Sequence, residues 1–272
     1  MKFKIIILLF VFLICVTLYF LRRVPEPPLP ALIDNVLLEK EVDGISKNLS
    51  GLTWDSTTET LMAVINSPTR VVQLNTHGDV LQQFELPNMA DTESLSFLSG
   101  RSFLIAEERE RRITLTSLSL DEKRAFRLAP GFVFDLGGKR NEGLEGIAFS
   151  MSHDILFIAN EKFPAAVYSV SGFLHGRHRS MEIKRIFVSP KDISGLAWSE
   201  DQQRLYILSD EAKKIVEIDI HGRRTRESYL GDYIKDIPQP EGIAVHNDIL
   251  YVVSEPNRFY VLKLFPVSSF NK

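Results

Sequence analysis

One cysteine, Cys15, is all the thiol this 272-residue chain carries, and it lies inside an N-terminal apolar run. Everything beyond that run lacks a side chain for a disulfide, a thiolate metal site or cysteine nucleophilic catalysis. Basic charge is not in surplus either: 32 Lys and Arg stand against 35 Asp and Glu, a net charge of −3. Gripping a phosphate backbone needs a concentrated basic surface, so a general nucleic-acid binder is excluded. There is no Gly-x-Ser-x-Gly elbow, no glycine-rich phosphate loop and no low-complexity tract. The six histidines are scattered, mostly in turn contexts such as His77-Gly78 and His221-Gly222, and read as exposed loop residues.

Long apolar runs are missing with one exception. Ile5 to Leu21 spans 17 residues in which only Thr17 and Tyr19 carry polar atoms, between Lys2 and Lys4 on one side and Arg22 and Arg23 on the other. A bilayer core about 30 Å thick takes about 20 helical residues, with about 17 near the short limit. No small-x-small cleavage pattern follows, and Ile14 rather than a small residue precedes Cys15. An uncleaved transmembrane anchor over residues 1–23 is expected rather than a signal peptide. The charges flanking the run balance, but the free terminus adds to the first group and a short N-terminal tail rarely crosses ahead of a large domain, which favours an outward-facing domain. The stretch Val24-Pro-Glu-Pro-Pro-Leu-Pro30 reads as a stiff spacer within a linker over 24–33.

What the rest of the chain has is a repeat. Ser50-Gly-Leu-Thr-Trp54, Glu93-Ser-Leu-Ser-Phe97, Glu145-Gly-Ile-Ala-Phe149, Ser194-Gly-Leu-Ala-Trp198 and Glu241-Gly-Ile-Ala-Val245 recur at intervals of 43, 52, 49 and 47 residues. Each is followed by a turn and a second apolar run, such as Leu61-Met-Ala-Val-Ile65 or Leu205-Tyr-Ile-Leu208. A third run and a more polar, alternating fourth complete the unit. Four short strands in about 40–50 residues, repeated, predict a propeller blade. A β-sandwich has no reason to repeat one pattern at that length. The expected fold is an all-β, five-bladed β-propeller over 34–268. The strand-like segment Val36–Val42 should complete the last blade, which otherwise lacks its outer strand, and remove an exposed edge.

In such a blade the start of the first strand and the end of the second meet at one mouth of the central channel. The first position reads Ser50, Glu93, Glu145, Ser194, Glu241, and the second Asn66, Glu107, Asn160, Asp210, Glu255. Six carboxylates and two amides would converge there. Like charges so placed raise one another's pKa unless a cation neutralises them. An all-oxygen set suits a hard cation, and a flexible array suits Ca²⁺ better than Mg²⁺. The competing reading is that Asn, Asp and Glu simply favour turns. Trp54 and Trp198 share a repeat position with Phe97 and Phe149 and read as packing between blades. Arg109, Arg111 and Arg112 read as a solvated turn.

Asp91-Thr-Glu-Ser-Leu95, Ala106-Glu-Glu-Arg109 and above all Val253-Ser-Glu-Pro-Asn-Arg-Phe-Tyr260 resemble the SdiA-regulated (YjiK-like) bacterial propellers. The resemblance runs from Asp34 to Phe265 and extends to the anchor. It implies a calcium-binding five-bladed propeller held at the inner membrane, facing the periplasm, without an established reaction. The Glu-Gly-Ile strings are shared with gluconolactonase-like enzymes, which place Glu, Asn and Asp around a channel cation but have six blades; Glu145, Asn160 and Asp210 would be the echo here. Three functions stay open: a Ca²⁺-binding sensing module for a small ligand or protein, a metal-dependent lactonase or esterase, and a metal-free interaction scaffold.

Overall fold

A computed structural model describes residues 27–137, 143–174, 181–189 and 191–266. The expected anchor over 1–23 and the first residues of the linker lie outside them. Among the described residues no helix is long and apolar enough to cross a membrane. The one helical segment described is a 3-10 turn, Leu230–Asp232.

All other regular structure among the described residues is β. The chain enters through β1 (Ile33–Glu41) and then forms β2 (Leu49–Asp55), β3 (Thr60–Asn66), β4 (Thr69–Leu74) and β5 (Val80–Glu85) as one antiparallel meander. The next group is β6 (Thr92–Ser99), β7 (Ser102–Glu107), β8 (Arg112–Ser119) and β9 (Arg124–Arg127), with the short β10 (Phe132–Val133) also on the edge of β8. A single parallel bridge, Glu85 to Arg124, joins the outer edges of these two groups. Then follow β11 (Leu144–Ser150) to β12 (Ile155–Asn160), β13 (Ala166–Ser171) and β14 (Glu182–Val188). The fourth group is β15 (Gly195–Ser199), β16 (Arg204–Ser209), β17 (Lys214–Ile218) and β18 (Arg224–Tyr229). The last is β19 (Gln239–His246), β20 (Ile249–Glu255) and β21 (Arg258–Leu264), with β1 paired antiparallel to β21 as its outer strand. The innermost strands β2, β6, β11, β15 and β19 touch in succession, and β19 touches β2, so they close a ring.

Each hydrophobic cluster is shared by two neighbouring groups, which explains the unbroken apolar second strands. Leu61, Ala63 and Ile65 of β3 pack toward the last group, while Met62 and Val64 between them pack toward β6 and β7. Successive side chains point to opposite faces, so a strand buried on both faces is apolar throughout. The turns carry their own chemistry. In the two His-Gly turns, Asn75 Oδ1 accepts from the amides of His77 and Asp79, and Asp219 Oδ1 from those of His221 and Arg223. Gly78 and Gly222 take the positive φ these turns require, +77° and +89°.

The closing strand is pinned as well as paired. The amides of Leu32 and Ile33 donate to Ser228 Oγ at 2.9 and 3.0 Å, and the Tyr233 hydroxyl donates to the Ile33 carbonyl at 2.8 Å. Arg226, buried against Glu217, donates to the Phe265 carbonyl at 2.7 Å and holds the exit of the chain beside its entry.

Candidate metal centre

The repeat motif has a structural reason at each position. In β6, β11 and β19 the pairing with the second strand skips Glu93, Glu145 and Glu241, each of which is the extra residue of a β-bulge. A bulge bends the strand and re-aims one side chain, and here it re-aims the same glutamate three times. The small residue that follows lets inner strands approach closely. A Cβ on Gly51, which sits at φ +37°, would lie 2.6 Å from the Glu93 carbonyl oxygen. One on Gly242 would lie 2.8 Å from the Gly51 carbonyl carbon. The serines at these positions bond across the same seams: Ser50 Oγ to the Glu93 carbonyl (2.9 Å), Ser194 Oγ to the Pro240 carbonyl (2.7 Å), and the Ile147 amide to Ser94 Oγ (3.0 Å).

At the mouth where these glutamates emerge lies a cavity of about 300 Å³. Asn66, Glu93, Glu145, Asp210, Glu241 and Glu255 line it, six of the eight residues expected there. Glu107 and Asn160 do not. Glu107 is buried, its carboxylate taking hydrogen bonds from Arg112 Nε (2.9 Å), Arg127 Nη2 (3.3 Å) and the Ala90 amide (3.2 Å). The Asn160 amide instead holds the following loop, donating to the carbonyls of Lys162 (2.6 Å) and Pro164 (2.9 Å).

Strand register explains the error. The residue before each motif pairs with Ile65, Glu107, Asn160 and Ser254 in its own group. Those four residues are therefore equivalent, and the mouth column is formed by their successors: Asn66, Glu108, Glu161 and Glu255, with Asp210 in the β15–β18 group. A shift of one residue moves a strand side chain to the opposite face. The sequence column slipped by one in two groups, and adjacent acids or amides hid the slip. Two more carboxylates, Asp91 and Asp192, sit two residues ahead of Glu93 and Ser194. Their column reads Asn48, Asp91, Gly143, Asp192, Gln239, mostly amide or carboxylate, and that pattern was the available signal.

Ligand oxygens of Asp91, Glu93 and Glu108 all lie within 4.8 Å of one another, and so do those of Glu108, Glu145 and Glu161. Glu108 joins the two trios. Such oxygen spacings match the span across a Ca²⁺ ion bonded at about 2.3–2.6 Å on each side. Burial pushes the Glu145 carboxyl well above its usual range, and the charges of Glu93, Glu108, Glu161 and Glu241 push it further. Burial, with Asp91 and Glu93 adding to it, lifts Glu108 to about 7 against a backbone hydrogen bond from Gly143. Glu241 rises to about 8 through burial and the charges of Asp210, Glu93, Glu255 and Asp192. Burial also raises Glu93 and Glu255, although Asn66 and Ser50 partly offset it at Glu93.

Lysines answer some of this charge from inside the protein. Lys162 Nζ bridges Glu161 (2.9 Å) and Glu211 (3.0 Å), while Lys213 pairs with Asp210 and donates to the Pro238 carbonyl. Arg109 Nε lies 3.2 Å from Asp91. In the trio around Glu145, Glu161 is the member that meets a lysine.

The fold is shared with known structures. Glutaminyl cyclase of Myxococcus xanthus superposes with a TM-score of 0.62 at 13% identity, covering 88% of this chain and all of that one. A gluconolactonase of Xanthomonas campestris gives 0.53 at 12% identity, covering 88% and 98%. A chain of a nidogen/laminin complex gives 0.52 at 13%, covering 77% and 73%. At such identities the likeness concerns the fold alone. A family model described as SdiA-regulated matches residues 33–263.

Proposed function

The chain belongs to the SdiA-regulated family, and from that premise we propose that it is a five-bladed propeller whose acidic mouth binds a divalent cation, Ca²⁺ by its oxygen-only donors. Each four-stranded group is then one blade. The observation that carries the proposal is Glu108, a buried carboxyl common to two clusters of three. Such a group either keeps its proton, as its raised pKa indicates, or shares a cation with its neighbours. Glu93, Glu108, Glu145 and Glu161 are the proposed core of the site, with Asp91 beside them and Glu241, Glu255, Asp210 and Asn66 around the rim.

In this reading the cation fixes the mouth loops in one geometry, and that surface receives a small ligand or protein. The run Ile5–Leu21 anchors the chain in a bacterial inner membrane and carries the propeller on the periplasmic side. The module binds and senses; it does not read nucleic acid.

The test is a thermal melt of the full chain with and without millimolar Ca²⁺. A ligand that binds only the folded state at about 100 times its Kd adds about 2.7 kcal/mol, which for a domain of this size is roughly 5–10 °C. Glu145→Gln should abolish that shift. An unchanged melting temperature in the parent chain would instead favour the metal-free scaffold.

A second reading has its own support. Glu108 at about 7 and Glu241 at about 8 hold protons near neutrality, the range in which a carboxyl serves as general acid or base. A metal-dependent hydrolase would therefore turn over lactones or aryl esters and lose that activity on chelation. Activity that survives chelation would count against it.

A further inference from the structure

The innermost strands run about 13 Å, four residues, from the acidic mouth to the other end of the channel. There the closing residues of the repeat, Trp54, Phe97, Phe149, Trp198 and Val245, surround a separate cavity of about 380 Å³. Volumes of about 300–1,000 Å³ are typical of small-molecule sites. The indoles are braced from positions outside the cavity: Trp54 stacks on Tyr251 at 6.2 Å and Trp198 on Phe157 at 5.1 Å. On the cavity wall itself, His246 stacks on Trp54 at 4.1 Å.

The polar lining is electron-rich. Thr53 Oγ1 and Ser96 Oγ already accept from the amides of Phe97 and Phe149, and Ser199 Oγ from that of Gln202. The lining contains no lysine or arginine, and its two ionisable acids are Glu200 and Asp201. Burial works against charge on Glu200. Hydrogen bonds from the Ser152 side chain and the Ser152 and Met151 amides nevertheless hold its carboxyl below the usual range. Asp201 is exposed.

We infer that this end of the channel binds a small organic cation, an amine or quaternary ammonium carried on a compact apolar body. Aromatic faces attract a cation through their quadrupole, the apolar body fills the walls, and the two carboxylates complete the charge. An anion would meet two negative charges and no lysine or arginine. A neutral polyol would meet the hydroxyls of Thr53, Ser96 and Ser199 already engaged with the backbone.

The chain has two tryptophans, and both line this cavity, so intrinsic fluorescence reports its occupancy. The full chain is titrated with benzyltrimethylammonium, with benzyl alcohol, benzenesulfonate and cellobiose as controls at matched ionic strength. Saturable quenching by the cation is expected, with the alcohol roughly tenfold weaker and no saturation by the sulfonate. Asp201→Asn, an exposed change that leaves the packing intact, should weaken the cation about threefold and leave the alcohol unchanged. Equal affinity for cation and alcohol would overturn the inference. So would an unaffected Asp201→Asn variant, or saturation by cellobiose without a response to the cation. Glu145→Gln and chelation of divalent ions should leave the titration unchanged. A loss in either would place the cation at the acidic mouth and also overturn the inference.

Discussion

Glu93 and Phe97 lie four residues apart on one strand, and the pairing recurs in Glu145 with Phe149 and Glu241 with Val245. One end of the channel gathers carboxylates that repel one another; the other gathers rings that pack without penalty. The backbone accounts for part of the contrast. At the acidic end the pairing is broken by a bulge that re-aims a glutamate, whereas from the small residue onward β11, β15 and β19 run in unbroken register with their partners. The aromatic end strengthens the fold through the clusters its side chains join. The acidic end opposes folding, and a feature that the rest of the structure must offset is the better candidate for function.

The largest effect expected separates two adjacent glutamates. Glu107→Ala strips the buried partner from Arg112 and Arg127 and should destabilise the fold by about 1.5–3 kcal/mol in urea denaturation. Whatever remains folded should keep its Ca²⁺ response. Glu108→Gln should do the reverse, with a small loss of stability and no Ca²⁺ response. If both variants behaved alike, the assignment of the mouth column by register would be wrong.

Next comes the seam that both ends share. Gly242→Ala places a Cβ 2.8 Å from the Gly51 carbonyl carbon and 2.6 Å from Val253 Cγ2. Overpacking of this kind costs about 1–3 kcal/mol, and it should lower Ca²⁺ response and tryptophan environment together. An effect at one end alone would break the picture of a single rigid ring.

A smaller effect concerns pH. Glu108, Glu145 and Glu241 hold their protons more tightly folded than unfolded, so the folded chain binds more protons from about 4.5 up to about 8. Stability of the chelated protein must then fall as pH rises through that window. The Ca²⁺-induced rise in melting temperature should grow over the same window, because the ion displaces those protons. A chelated melting temperature that is flat or rising from pH 5 to pH 8 would remove the electrostatic half of the comparison.

The smallest effect is at Lys162. Its ammonium bridges Glu161 and Glu211 beside the proposed site, so Lys162→Ala should tighten Ca²⁺ binding by roughly threefold in a calorimetric titration. Weaker binding would mean that the lysine orders Glu161 rather than competing with the ion.

Much of this was legible in the residues. The repeat, its strands, the segment that pairs with β21 and the glutamates of the first strand follow from local pattern, because apolar periodicity and turn chemistry act over a few residues. The cavity ringed by Trp54 and Trp198 was not legible. Packing between neighbouring groups predicts the same aromatic positions, and only the closed ring sets how much space they leave at its axis.

The sequence by itself therefore determined an all-β repeat and one glutamate-bearing position at its start. Tertiary structure decided which of two adjacent acids faces the channel. Glu107 and Glu108 differ by a single step along a strand whose side chains alternate, and the bulge at Glu93 sets that step. Choosing between them takes a hydrogen-bonded partner strand, which no local pattern supplies.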